Sequence, residues 1–174
     1  MINQCPDPAA LAAVSFRPGG VDDLDAVMDI MTAAFRPCFG ESWTRSQCAG
    51  ILPMAGVVLT IAEKSEAVVG FSLTRAVADE AELLLIAVGP GSQHHGVGAQ
   101  LIKHFIVEAR RSGAHRLHLE VRDGNDAVSL YSTAGFVAAG RRRDYYRGPN
   151  GDRYDAITLV LDAKEVGDGQ ESVA

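Results

Sequence analysis

The chain has 174 residues, of which 47% are hydrophobic and 22% charged, with a formal net charge of −6. That length supports one domain with a buried core, and the acidic balance argues against gripping nucleic acid through its phosphates. Cys5, Cys38 and Cys48 form no CxxC pair, which fits reduced thiols in a cytoplasmic protein better than a disulfide framework. The opening MINQCPDPAALAAV lacks the basic start and long apolar run of a secretory signal. No stretch approaches the roughly 18 uninterrupted apolar residues of a membrane span.

The segment VSFRP (14–18) predicts a short strand, and Pro18-Gly19-Gly20 turns the chain into a helix over 21–36. There Val21, Leu24, Val27, Met28, Met31 and Phe35 recur at helical spacing, and Asp22, Asp23 and Asp25 complement the helix dipole. A second helix is expected to start near Thr44. Strands follow over 57–63 and 67–78, joined by a KSE turn, then over 81–88. From Gly96 to Arg111 the apolar positions Val97, Leu101, Phe105 and Ala109 repeat every fourth residue, predicting a helix. HRLHLEV (115–121) alternates as a strand, and a short helix is expected around 126–134. FVAAGRRRDYY (136–146), a polar turn and a strand over 154–161 complete the pattern. Residues 1–162 read as one α/β domain, and the polar tail 163–174 as disordered.

The stretch GPGSQHHGVGAQ (89–100) lies between a strand and a helix. It fails the dinucleotide fingerprint, because the position three beyond Gly91 is His94, and it fails the P-loop, because Val97 follows Gly96. What remains is Q-x-x-G-x-G/A opening a helix. Gly96 and Gly98 allow close approach to the backbone, and the unpaired first-turn amides with the helix dipole form an anion site suited to a pyrophosphate. From the glycines alone, a plain turn before a helix is an equal reading.

The turn QHHGVGA after LLIAV, with LEV at 119–121 and LYSTAGF at 130–136, resembles the GNAT acetyltransferase superfamily. RRRDYY, DAITLVL and SWT (42–44) make the RimI-type ribosomal-protein alanine N-acetyltransferases the most similar group. The resemblance implies a single mixed sheet of about six to seven strands flanked by about four helices. It also implies transfer of acetyl from acetyl-CoA to a primary amine, with no metal. The acceptor would be a protein N-terminus, ribosomal in the group resembled. A small amine, a lysine side chain, or a CoA-binding module without catalysis are the alternatives. Neither nucleic acid nor membrane is an expected partner, and a monomer or homodimer is expected.

Residue by residue, the resemblance implies that Ile86, Ala87 and Val88 pair with the pantetheine arm, and that His94, His95, Gly96, Val97, Gly98 and Ala99 wrap the pyrophosphate. Glu120 matches the general base and Tyr131 the general acid. Two departures stand out. Histidines occupy turn positions where the family usually carries arginine or lysine, so backbone amides would carry most of the binding. The family's loop asparagine lies seven residues before the tyrosine, whereas Asn125 lies six before Tyr131 and Gly124 takes the seventh place. Asn125 either reaches the cofactor or caps the helix.

These residue types suit the chemistry. A peptide α-amine has a pKa of about 7.7–8.0 against about 10.4 for lysine, so it needs only modest help from a carboxylate to become a nucleophile. A tyrosine, with an ordinary pKa of about 10, stays protonated at neutral pH and can protonate a departing thiolate. Glu82 is a rival base. Cys38 and Cys48 read as buried small hydrophobes, and Arg141, Arg142 and Arg143 as a solvated sheet edge or a CoA or substrate contact. Trp43 reads as core rather than specificity pocket, and the resemblance implies that Tyr145 and Tyr146 line the peptide channel. The histidines lack metal-site spacing.

Overall fold

The computed structural model describes residues 13–162. The expected tail therefore lies outside the described residues, as does Cys5. Seven strands form one sheet: β1 (Ser15–Pro18), β2 (Val57–Lys64), β3 (Ala67–Val77), β4 (Glu80–Val88), β5 (Arg116–Arg122), β6 (Val137–Arg147) and β7 (Arg153–Asp162). Their order is β1-β2-β3-β4-β5-β7-β6, and among the described residues only β4 and β5 run parallel. Four α-helices among the described residues complete it: α1 (Leu24–Ala34), α2 (Arg45–Ile51), α3 (Val97–Arg111) and α4 (Ala127–Thr133). This is the mixed α/β architecture expected, with α3 making the crossover that a parallel pair requires.

Local chemistry explains the element starts. Before α1, the Asp23 carboxylate accepts from the Gly20 N–H at 2.9 Å and pairs with Arg17 at 2.6 Å. Thr44 and Gln47 form a capping box that opens α2. A 3-10 turn, Val21–Asp23, takes the first residues of the expected 21–36 helix.

Helices on opposite faces give two main cores. Leu24, Val27, Ile30 and Met31 of α1 pack with Leu59, Ile61, Phe71 and Leu73. Ile102, Phe105 and Ala109 of α3 pack with Leu117, Leu119 and Val121. Within β4, Ala81 and Leu83 belong to the α3 core, whereas Leu85 and Ala87 belong to the α1 core. The cause is a bulge. Leu73 pairs with Leu85 and Thr74 with Leu83, leaving Leu84 extra. One added residue reverses which face every later side chain meets.

Candidate active site

The bulge lies where two parallel strands part. β4 and β5 pair from Glu80 with Arg116 to Leu83 with Leu119. Beyond that point β4 keeps its ladder with β3, through Ile86–Ser72, Ala87–Phe71 and Val88–Gly70, while β5 keeps its ladder with β7. The side of β4 that faces away from β3 is therefore a free strand edge over Ile86, Ala87 and Val88. Such an edge offers N–H and C=O groups to an extended ligand.

The glycine turn follows directly. Gln93 Nε2 donates to the Val88 carbonyl at 2.9 Å and ties the turn to the strand end. His94 (φ 60°) and Gly96 (φ 80°) both adopt left-handed conformations, and the Gln100 N–H donates to the Gly96 carbonyl to begin α3. The amides of Val97, Gly98 and Ala99 thus open the helix without intrahelical acceptors. His94, His95, Gly96 and Ala99 are exposed, while the Val97 side chain is buried and can offer only its backbone. At Gly98 a Cβ would stand 3.2 Å from Leu130 Cδ2 and 3.9 Å from Val88 Cγ2. The missing side chain lets α3 start against α4 and the end of β4. Free strand edge, open amides and glycine cradle fit a pantetheine arm ending in a pyrophosphate.

On the opposite side of the parting, β5 presents Glu120. Its carboxylate lies 3.0 Å from Thr158 Oγ1 through each oxygen and 3.5 Å from Arg142 Nη1. The side chain is 12% exposed, and its backbone carbonyl accepts from the Tyr146 hydroxyl at 3.2 Å. Tyr131 is buried in α4, edge-on to Phe136 with ring centroids 6.3 Å apart. Burial pushes its hydroxyl well above the ordinary tyrosine range, and the Glu41 carboxylate adds to the shift. Tyr146 is raised the same way, by burial first and then by the charges of Tyr145, Glu41, Glu120 and Tyr131. The two predicted reactive groups, Tyr146 and Glu41 thus share one electrostatic neighbourhood.

Sequence reasoning missed Glu41. Its carboxylate lies 3.2 Å from Arg122 Nε and accepts from Asn125 Nδ2 at 2.9 Å. Arg122 stacks 3.7 Å above the Phe39 ring. Asn125 Oδ1 in turn accepts from the Ala127 N–H at 2.9 Å. Asn125 therefore ties the first residue of α4 to the 37–41 turn, with one amide hydrogen left over. Nothing in CFGESWT marks this glutamate as buried, because its partners come from a distant strand and loop.

Other expectations resolve individually. Glu82 is a third exposed and lies 3.9 Å from His118. Cys48 is buried, but Cys38 is exposed, a correction to its reading as core. It sits in a 3-10 turn (Pro37–Phe39) with no buried residue. Trp43 is half-buried against the α1 core. Arg141 pairs with Asp123 and Asp155, whereas Arg142 turns to Glu120 and Tyr145. A groove of about 480 Å³ between β1–β3 and α3, floored by Thr60 and Ser72, involves none of the predicted site residues. Among the described residues, no group of three or more His, Cys, Asp or Glu side chains is arranged to hold a metal. No described helix is long and apolar enough to cross a membrane.

Comparison with known proteins agrees with this architecture. The ribosomal protein bS18-alanine N-acetyltransferase of Escherichia coli K12 is 45% identical over 92 residues, covering 52% of this chain and 62% of that protein. The chain thus spans somewhat less than two thirds of the length of such curated relatives. The N-alpha-acetyltransferase RimI of Mycobacterium tuberculosis is 40% identical over 76 residues, 43% of this chain and 46% of its own. A crystal structure of the Escherichia coli ribosomal-protein-S18-alanine N-acetyltransferase superposes with a TM-score of 0.78 at 31% identity, covering 90% of this chain and 98% of that one. The profile of the Acetyltransferase (GNAT) family matches residues 24–136, the span from α1 through the glycine turn to Phe136, and the chain belongs to that family.

Proposed function

We propose that this chain moves acetyl from acetyl-CoA to the N-terminal α-amine of a protein, a ribosomal one by likeness to its relatives, in the cytoplasm. The observation that carries the reading is Glu120 on β5 just beyond its last pairing with β4, sharing the surroundings of Tyr146 with Tyr131, while a glycine-opened helix start follows β4. The relatives named above support the choice of an α-amine over a lysine or small amine. The free thiols of Cys38 and Cys48 support a reducing compartment.

When bound, acetyl-CoA supplies an activated thioester. Ile86, Ala87 and Val88 would pair with its pantetheine arm, and the amides opening α3, from His94 to Ala99, would take its pyrophosphate. Gly98 lets α3 start against α4 and the strand end, and Asn125 holds the neighbouring loop with one amide hydrogen available to the cofactor. Glu120 accepts a proton from the acceptor amine, directly or through one water. Charge that develops on the carbonyl oxygen meets the free amides near Val88, fixed donors that need no reorganisation. Tyr131, protonated at neutral pH, delivers a proton to the departing sulfur. No step needs a covalent link to the protein, so neither cysteine is required.

Glu120→Gln and Tyr131→Phe test these roles separately. Each should lower turnover by at least about a hundredfold, while CoA binding measured by calorimetry stays within about twofold. Full turnover in both variants would remove the reading, and loss of CoA binding in either would recast that residue as structural.

A further inference from the structure

Glu120, Thr158 and Gly140 stand abreast across β5, β7 and β6, because β7 pairs Thr158 with both neighbours. Thr158 Oγ1 is 3.0 Å from Oε1 and 3.0 Å from Oε2 of Glu120. A hydroxyl within hydrogen-bonding distance of both oxygens tethers the carboxylate head over β7. Arg142 approaches Oε1 from β6 at 3.5 Å. Gly140 lies beside the hydroxyl on the other side of β7 and brings no side chain to it.

A free glutamate side chain would sample many rotamers, and ordering it costs conformational entropy. A neighbour that orders it beforehand shortens the path to reaction. We propose that Thr158 is a positioning residue for acetyl transfer: its hydroxyl holds Glu120 in the orientation from which the carboxylate takes the proton of the attacking amine. This rests on the reading of Glu120 as the base. Neither the glycine turn nor the LYSTAGF segment points to Thr158. Its role emerges only from strand register.

Two substitutions separate hydroxyl from shape. Thr158→Val keeps the branched outline and loses the hydroxyl, whereas Thr158→Ser keeps the hydroxyl and loses a methyl. Steady-state rates are measured with acetyl-CoA and a peptide that begins with alanine. Thr158→Val should lower kcat about tenfold, with KM for acetyl-CoA within about twofold. Thr158→Ser should recover most of the loss, and Thr158→Val should add nothing in a Glu120→Gln background. Wild-type kcat in Thr158→Val, or a serine variant as impaired as the valine one, would overturn the proposal. If Glu120→Gln is inactive while Thr158→Val is unaffected, only the Thr158 role falls. If Glu120→Gln keeps full turnover, the base assignment falls and takes this role with it.

Discussion

Removing the Glu41 carboxylate should cost more stability than any surface charge of this protein. The side chains of Glu41 and Arg122 are 9% and 13% exposed and lie 3.2 Å apart. At that separation and an effective dielectric constant near 20, their attraction is about 5 kcal/mol. Desolvation offsets much of this, but deleting one partner leaves the other charge buried and unpaired, at a cost of about 3–5 kcal/mol. Asn125 Nδ2 loses its acceptor as well. For a domain of this size the melting temperature moves roughly 2–4 °C per kcal/mol, so Glu41→Ala should melt about 10 °C below the parent. Urea denaturation of Glu41→Ala, Arg122→Ala and the double variant measures the pair directly, and the double variant should lose clearly less than the two singles combined. A loss below about 0.5 kcal/mol in Glu41→Ala would mark the pair as an ordinary solvated one and refute the reasoning from burial.

Two further outcomes follow from the same region. Tyr131 is raised in the folded protein, so above its unfolded pKa of about 10 the native state holds more protons than the unfolded state, and stability falls as pH rises. Each such tyrosine contributes a slope of up to about 1.4 kcal/mol per pH unit; Tyr131→Phe should flatten the alkaline denaturation profile by that much, and an unchanged slope would contradict a raised hydroxyl. Gly40 has φ 67°, and a Cβ there would collide with the Arg147 carbonyl. Gly40→Ala should therefore destabilise by more than about 1 kcal/mol and loosen the 37–41 turn, measured as faster amide exchange at Glu41.

Much of the fold was legible because its signals are local. Val97, Leu101, Phe105 and Ala109 announce α3 by spacing, Leu117, Leu119 and Val121 announce β5 by alternation, and Gly96 and Gly98 mark the turn that opens α3. The features that shape the site most are different in kind. AELLLIAV (81–88) is apolar on both faces, so alternation cannot reveal that Leu84 is a bulge or that Leu85 and Ala87 turn toward α1. Between Arg142–Ala156 and Tyr146–Tyr154, β6 spends three residues against one of β7. That irregularity accompanies Tyr146's reach to the Glu120 carbonyl, and no periodicity predicts it. Glu41 in a polar loop reads as solvated. Only the tertiary approach of Arg122 and Asn125 buries it. Cys38 shows the reverse, a residue type that is usually buried placed by its turn at the surface.

Acetylation of a peptide α-amine is tested most directly by incubating the full chain with acetyl-CoA and a peptide that begins Ala-Arg and carries one internal lysine. Tandem mass spectrometry then locates the added acetyl group. The expected result is acetyl on the N-terminal amine alone, and none on the same peptide with that amine blocked. Acetyl on the lysine side chain, or equal release of CoA thiol with the blocked peptide, would contradict it.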